Sequence, residues 1–490
     1  MESIVLNRDN ARYFFHDPSP ITRLPVELLE AIFMLICDQD NDADTNVATA
    51  SDIVAQVCHQ WRRVALARSR LWRRIVVDHK TTLWMVEEWL RRSRAAPLLV
   101  KVVGSSAATD VLPIVRVIST HSNHIERFEL SGYPLDKTVD ILAEFQQPAP
   151  ILESIYLQAD VDVAEPPRTL AAARAACPFN GRMPALRHVT IVSIPLSLAT
   201  FSGLTSLDLR DQASLSTAEL LAVLSQSPNS ESLLIGIVDC TWSDDTLYPT
   251  TTIELPNLRD LCLAGLQDEV LHTLAHIRFP RTTEVDLRLV GYSISSQDIT
   301  RQCHSLQAIT SGVHEVFLVY TESADNESYV VCMSSPDARL VVSWEWDIEH
   351  EDDAEDGQPS INFELMYLPA VKHVRIIGLA QSASISQAEW RRLLHLMPSL
   401  QSIEFAVSPE PYTRLEVLSP MLDALSQPIA LPDKPEDHRL RCPCLKTVWL
   451  SNASWGLPDA DMKRAFSAYV GTRSRYARVE HGFRVDFSTR

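Results

Sequence analysis

The sequence predicts an α/β chain: a small helical unit at the N-terminus, then an irregular solenoid of parallel strands with helices on the outside. Two observations carry this prediction. Residues 21 to 78 hold two stretches with helical apolar spacing, joined by a polar loop, and from residue 98 onward a short apolar-x-x-apolar-x-apolar pattern keeps returning. At 490 residues the chain is too long for one compact core, which suits several domains or a repeat array. Only 13 glycines are present, fewer than half the usual share, which argues against folds built on Gly-rich phosphate loops.

The elements follow in order. Residues 1 to 20 read as an N-terminal tail. In "ITRLPVELLEAIFMLICDQD" the spacing predicts a helix with Pro25 at its start, Leu24 just ahead and Thr22 as a cap. Leu28, Leu29, Ile32, Phe33, Leu35 and Ile36 fill an arc of roughly 160°. That stripe is wider than a single packing contact needs. The following "DQDNDADTNVATAS" has the alternating aspartates of a calcium loop, Asp38 to Asp44, but Ala43 replaces the turn glycine and Thr49 the closing glutamate. It therefore reads as a solvated loop. A second helix is predicted through Ile53, Val54, Val57, Trp61, Val64 and Ala65, with Leu71 and Trp72 just beyond and a strand at "RIVVD".

These pieces, Leu24–Phe33 (Leu-Pro-x-Glu-Leu-Leu-x-x-Ile-Phe), Val57–Arg62 (Val-Cys-x-x-Trp-Arg) and Leu71–Trp72, resemble the F-box, in order and over residues 21–78. The acidic insertion between the first two pieces is longer than that family usually carries, and as a loop it should leave the helices undisturbed. The resemblance implies binding to a Skp-type adaptor and, through it, to a cullin–RING scaffold. It also implies the adaptor-binding residues: Leu24, Pro25, Leu28, Leu29, Ile32, Val57, Cys58, Trp61, Leu71 and Trp72. One edge of the wide stripe would pack inside the unit and the other would meet the adaptor. The arginines 62, 63, 68, 70, 73 and 74 scatter around the helix and its turn, which suits a solvated face better than a nucleic-acid stripe.

Residues 79–490 then read as a linker helix, a repeat solenoid and a C-terminal cap. The stretch "TTLWMVEEWLRRSRAAPLLVKVV" predicts a helix leading into a first strand. The repeat pattern stands as "PILESIYL" at 150, "PALRHVTI" at 184, "GLTSLDL" at 203, "PNLRDLCL" at 256, "PAVKHVRI" at 369, "PSLQSIEF" at 398 and "PCLKTVWL" at 443. Weaker copies begin at 124, 228, 280 and 312. The intervals, about twenty to forty-five residues, resemble an irregular leucine-rich repeat, although the usual Asn or Cys after the strand is mostly absent. Helix-like stretches such as "STAELLAVLSQSP" and "SQAEWRRLLHLMP" end at prolines that stop them. "YVVCMSSPDARLVVSWEW" predicts a hairpin around Ser335-Pro336-Asp337, followed by an exposed acidic loop over 347–357. The last stretch predicts a capping helix and strand.

Alternation along each repeat strand places Tyr156, Asp208, Arg210, Asp286, Arg288, Arg375, Glu404 and Trp449 on the solvent face, a concave protein-binding surface in this reading. Each charge of the Asp208/Arg210 and Asp286/Arg288 neighbours is expected to meet a complementary partner. No phosphate loop, nucleophile elbow, HExxH or Cys-His arrangement set in a Gly-rich turn stands in the chain, so no enzyme and no cofactor is predicted. The nine cysteines form no CxxC pair, and Cys442 and Cys444 make a lone CPC without zinc-ligand spacing, so no metal is predicted either. The net charge of -19 argues against nucleic acid or an anionic membrane as partner. With no secretory signal, no apolar run of membrane length and reduced thiols, a cytoplasmic or nuclear protein is expected. The function implied is a substrate-recognition subunit of an SCF-type ubiquitin ligase with an unidentified protein target. A scaffold that delivers nothing for ubiquitination is the alternative.

Overall fold

A computed structural model describes residues 20–39, 50–104, 110–160, 167–213, 215–238, 252–290, 303–322, 326–335, 339–347, 368–377, 386–406, 414–427, 429–431, 434–439, 442–451 and 484–486, with Arg464, Ser467 and Tyr469. The chain divides into two compact units, Met1–Leu186 and Arg187–Arg490. Most of the calcium-like loop, the acidic run from 348 and the tip of the predicted hairpin lie outside the described residues.

The first unit begins with three helices, α1 (Val26–Gln39), α2 (Ala50–Val57) and α3 (His59–Ala67), and a 3-10 turn at Ser69–Trp72. Strands and helices then alternate: β1 (Arg74–Val77), α4 (Leu83–Ser93), β2 (Leu98–Val103), α5 (Leu112–Ser119), β3 (Ile125–Pro134), α6 (Leu135–Ala143), β4 (Ser154–Asp160) and α7 (Pro167–Ala175). The strands pair in chain order, all parallel. Alternate residues are buried in β2 (Leu98, Val100 and Val102) and in β4 (Ile155, Leu157 and Ala159). Under them Phe128, Phe145 and Phe179 pack ring to ring, with centroids 4.7 to 5.7 Å apart.

The second unit carries β5 (His188–Val192), β6 (Ser206–Ala213), α8 (Thr217–Ser225), β7 (Ser232–Val238), β8 (Ile253–Glu254), β9 (Asp260–Leu266), α9 (Gln267–Ala275), β10 (Ile277–Arg278) and β11 (Glu284–Val290). It continues with α10 (His304–Thr310), β12 (Glu315–Glu322), β13 (Asn326–Ser334), β14 (Arg339–Asp347), β15 (His373–Ile377), α11 (Gln387–Leu396), β16 (Ser402–Ala406), α12 (Arg414–Ser426), β17 (Ile429–Leu431), β18 (Lys434–Arg439), β19 (Thr447–Ser451) and β20 (Arg484–Asp486). Inward strand residues such as Leu207, Ile235, Leu263 and Leu287 are buried, and so are Leu220 and Leu224 of α8 and Trp390 and Leu393 of α11. Both units are therefore leucine-rich-repeat-like α/β arrays.

The repeat pattern has a definite physical basis. Its proline follows the first residue of a tight turn, where a fixed φ is favourable and no N–H is needed. The turn closes when the apolar residue after it donates back: Leu258 N–H to the Leu255 carbonyl (3.2 Å), Leu400 to Met397 (3.3 Å) and Leu445 to Cys442 (3.0 Å). Both ends of each turn are buried. The next carbonyl receives two N–H groups from the following copy: Lys372 O from Gln401 (2.8 Å) and Ser402 (3.0 Å), Gln401 O from Lys446 (2.8 Å) and Thr447 (3.2 Å). Equivalent positions consequently pair in register, as His188, Ser206, Ser232, Asp260 and Glu284 do, and again His373, Ser402 and Thr447.

One insertion breaks the succession. Strands β12, β13 and β14 form an antiparallel meander, which includes the predicted hairpin, but it is laid in backwards. The neighbour of β11 is β14, and β12 instead pairs with β15. The strand of the copy at 280 and that of the copy at 312 are successive in the repeat pattern, but two strands separate them. The motif specifies alternation and a turn, and neither encodes which copy comes next.

Candidate functional site

The N-terminal helices explain the residues of the three-part motif one at a time. The Pro25 carbonyl receives the Leu28 and Leu29 N–H groups (both 3.1 Å), so the proline stands at the threshold of α1, one residue earlier than expected. Cys58 separates α2 from α3 in extended conformation, and its Sγ accepts the Trp61 N–H (3.4 Å) as an N-cap. The Trp61 ring leans on Phe33, centroids 4.8 Å apart. Trp72 is buried and donates its Nε1–H to the Ala65 carbonyl (2.9 Å), while Arg92 lies 4.2 Å over its ring. Ser51 Oγ donates to the Leu71 carbonyl (2.6 Å), Trp89 Nε1 donates to Asp52 (3.2 Å), and Arg68 pairs with Glu30. These bonds tie the helices to α4, whose strand neighbours β1 and β2 pair with each other.

The wide stripe of α1 splits along its length. Leu29 and Phe33 are fully buried, whereas Leu28 is 51% and Leu35 62% exposed, with Ile32 half-buried between them. The other two helices keep apolar residues outside as well, notably Val57 (57% exposed), Ile53 and Leu66. Of the ten motif residues, Leu29, Leu71 and Trp72 lie in the core and can support a surface only from within. Pro25, Leu28 and Val57 are exposed, and Leu24, Ile32, Cys58 and Trp61 are half-buried. Leu35 and Ile53, which belong to the same periodic patterns but not to the ten, are exposed as well. Trp84 on α4, 69% exposed, was read only as part of a connecting helix.

On the sheet faces, Tyr156 is half-buried in the first unit and its hydroxyl donates to Gln158 (2.7 Å). In the second unit Asp208 and Asp286 occupy one row, with Leu234 and Cys262 at the register positions between them. Here the structure corrects an expectation. Each aspartate already holds the arginine two residues on: Asp208 takes Arg210 at 2.9 and 2.7 Å, and Asp286 takes Arg288 at 3.2 and 3.0 Å. Residues at i and i+2 share a strand face, so each pair is neutralised within its own strand. Burial, together with the Asp286 carboxylate, raises the Cys262 thiol above its ordinary value and keeps it protonated.

Further along, register aligns Arg375, Glu404 and Trp449 on three adjacent strands, with Phe317 beyond Arg375 and Asp486 beyond Trp449. Arg375 Nε and Glu404 Oε1 stand 3.6 Å apart, and Trp449 is 37% exposed. No protein-family model matches the chain, and neither does any curated protein. Among the described residues, no helix is long and apolar enough to cross a membrane. No group of three or more metal-ligating side chains is brought together among them.

Proposed function

We propose that the chain is a substrate-recognition subunit of an SCF-type cullin–RING ubiquitin ligase. Its N-terminal helices dock on a Skp-type adaptor, and the outward strand faces hold a protein target. The observation that carries this reading is the division of the α1 stripe. The residues a three-helix unit needs for its own core are inside, while Leu28, Leu35 and Val57 leave a surplus of apolar surface at the motif that resembles the F-box. Such surface is stabilising only when a partner covers it. The chain does no bond chemistry in this role. It raises the local concentration of the target near the ubiquitin-carrying enzyme.

Leu28→Asp and Val57→Asp put the test. Both side chains are exposed, so each substitution should change folding stability by less than about 1 kcal/mol. Affinity for a purified Skp-type adaptor, measured by calorimetry, should fall at least about 100-fold, because a carboxylate would be buried against an apolar partner. A folded variant that binds the adaptor as tightly as the parent overturns the assignment. If the adaptor binds but the half-life of a captured target is the same with and without the chain, the protein is a scaffold and delivers nothing.

A further inference from the structure

At the start of a repeat strand, the two N–H groups that share one carbonyl belong to consecutive residues, and both residues stay outside the core. Lys372 and His373 donate to the His314 carbonyl, Gln401 and Ser402 to that of Lys372, and Lys446 and Thr447 to that of Gln401. Each couple lies between buried neighbours: Val371 and Val374, Leu400 and Ile403, Leu445 and Val448. Across β15, β16 and β19 the couples therefore line up as a polar ledge two residues wide. The ledge changes sign along the second unit. At the starts of β7, β9, β11 and β12 it carries Glu231, Asp260, Glu284 and Glu315, and Arg259 there lies 3.4 Å from Glu231. The three couples on β15, β16 and β19 contain two lysines, a histidine and no acid. Lys372, His373 and Lys446 are exposed, and neither lysine enters an ion pair among the described residues. Ser402 Oγ and His373 Nδ1 share a hydrogen bond of 2.7 Å. On the β12 side the stretch ends at Glu315, the register partner of His373. In a chain of net charge -19, such a stretch concentrates positive potential in one place.

We propose that the ledge from Lys372 to Lys446 holds an acidic stretch of the target. This inference rests on the reading of the outward strand face as the target surface, and it names the chemistry of one contact there. Lys372 and Lys446 occupy equivalent positions two strands apart, ~10 Å at the backbone, with Gln401 between them. Three residues of extended chain span about the same distance, so carboxylates at that spacing meet one lysine each. Lysine suits this contact because its ammonium is a point charge on a flexible stem and needs no fixed angle of approach. The acids at the starts of β7 to β12 repel the same stretch, which fixes the end of the ledge where it settles.

The test uses the full chain and a fluorescent peptide with glutamate at every third position among glycine and serine. Polarisation is read at about 0.15 M salt, where repulsion from the rest of an acidic protein is largely screened. Lys372→Ala and Lys446→Ala should each weaken binding roughly threefold, and the double substitution roughly tenfold. Gln401→Glu should weaken it as well, because a like charge would then face the peptide. Arg392→Ala removes an exposed cation from α11 and should leave the affinity unchanged. The same peptide with glutamine for glutamate should not bind. No binding by the parent chain, equal affinity of the double variant, or equal binding of the glutamine peptide overturns the proposal. So does an equal loss from Arg392→Ala, which would mean diffuse attraction to positive charge. Leu28→Asp serves as the separating control: it should abolish adaptor binding and leave the peptide affinity alone. A lysine-dependent peptide site in a parent chain that fails to bind the adaptor would sink the ligase reading and leave the acidic-stretch contact standing.

Discussion

Gly104 shows how much a single residue can decide. Its N–H donates to the Ser131 carbonyl (2.7 Å), and its backbone runs directly against Gly132, which adopts φ +73. A Cβ built on Gly104 would fall 1.8 Å from the Gly132 oxygen, and that neighbour is backbone, which cannot swing aside. In a chain with only 13 glycines, these two meet one step past the last paired residues of β2 and β3, Val103 and Ser131. Gly104→Ala should destabilise the first unit by roughly 3 kcal/mol or more, seen as a lower denaturant midpoint. Nothing in the local sequence "VVGSS" announces this contact, which needs a partner twenty-eight residues away.

At the scale of elements, α4 carries a charge arrangement with a definite pH signature. Arg91 hydrogen bonds to Glu88 (2.7 Å) and, with help from Arg92 (2.8 Å), lowers the Glu88 carboxyl to about 2 from an ordinary 4.5. A depressed acid contributes stability above its unfolded value and loses it as pH falls through the folded one. Stability of the first unit should therefore decline between about pH 4.5 and 2, and Glu88→Gln should flatten that part of the curve, as read by circular dichroism. Much at this scale was legible in the sequence. The helix at 387–396 starts at Ser386 with a full capping box to Glu389, and each motif proline precedes its strand. Alternation also identified which residues face outward. What it could not show is which of those residues hold each other. Asp208 turns to Arg210 along its own strand, whereas Arg375 reaches across to Glu404, and that choice depends on register and side-chain direction. The same limit hid the order of β12 and β14.

For the molecule as a whole, the end of the three-part motif is not a place to cut. Strand β1 begins two residues after Trp72 and pairs with β2 over Arg74 to Val77. Asp52 and Trp89 are bonded across the same boundary. A chain starting at residue 79 would expose the edge of "LLVKVV", a short apolar strand with one charge, and would leave the Trp89 indole without that acceptor. It should therefore aggregate in a concentration series followed by light scattering. Point substitution at Leu28 separates adaptor binding from folding more cleanly, and a soluble, monomeric 79–490 chain would contradict this account.

The backward meander has a consequence in time. Strands β6, β7, β9 and β11 each pair with a strand already made, so they can assemble as fast as they emerge. After β11 the next strand synthesised is β12, which carries the same repeat pattern as the strands before it and could pair with β11 in the same way. Its proper neighbour, β15, does not yet exist, and the proper neighbour of β11 is two strands further on. For that interval the growing chain offers a wrong pairing before the right one, and every later strand depends on that pairing coming undone. Slow synthesis between Glu322 and Asp347 would lengthen that interval and favour the trap; fast synthesis would shorten it.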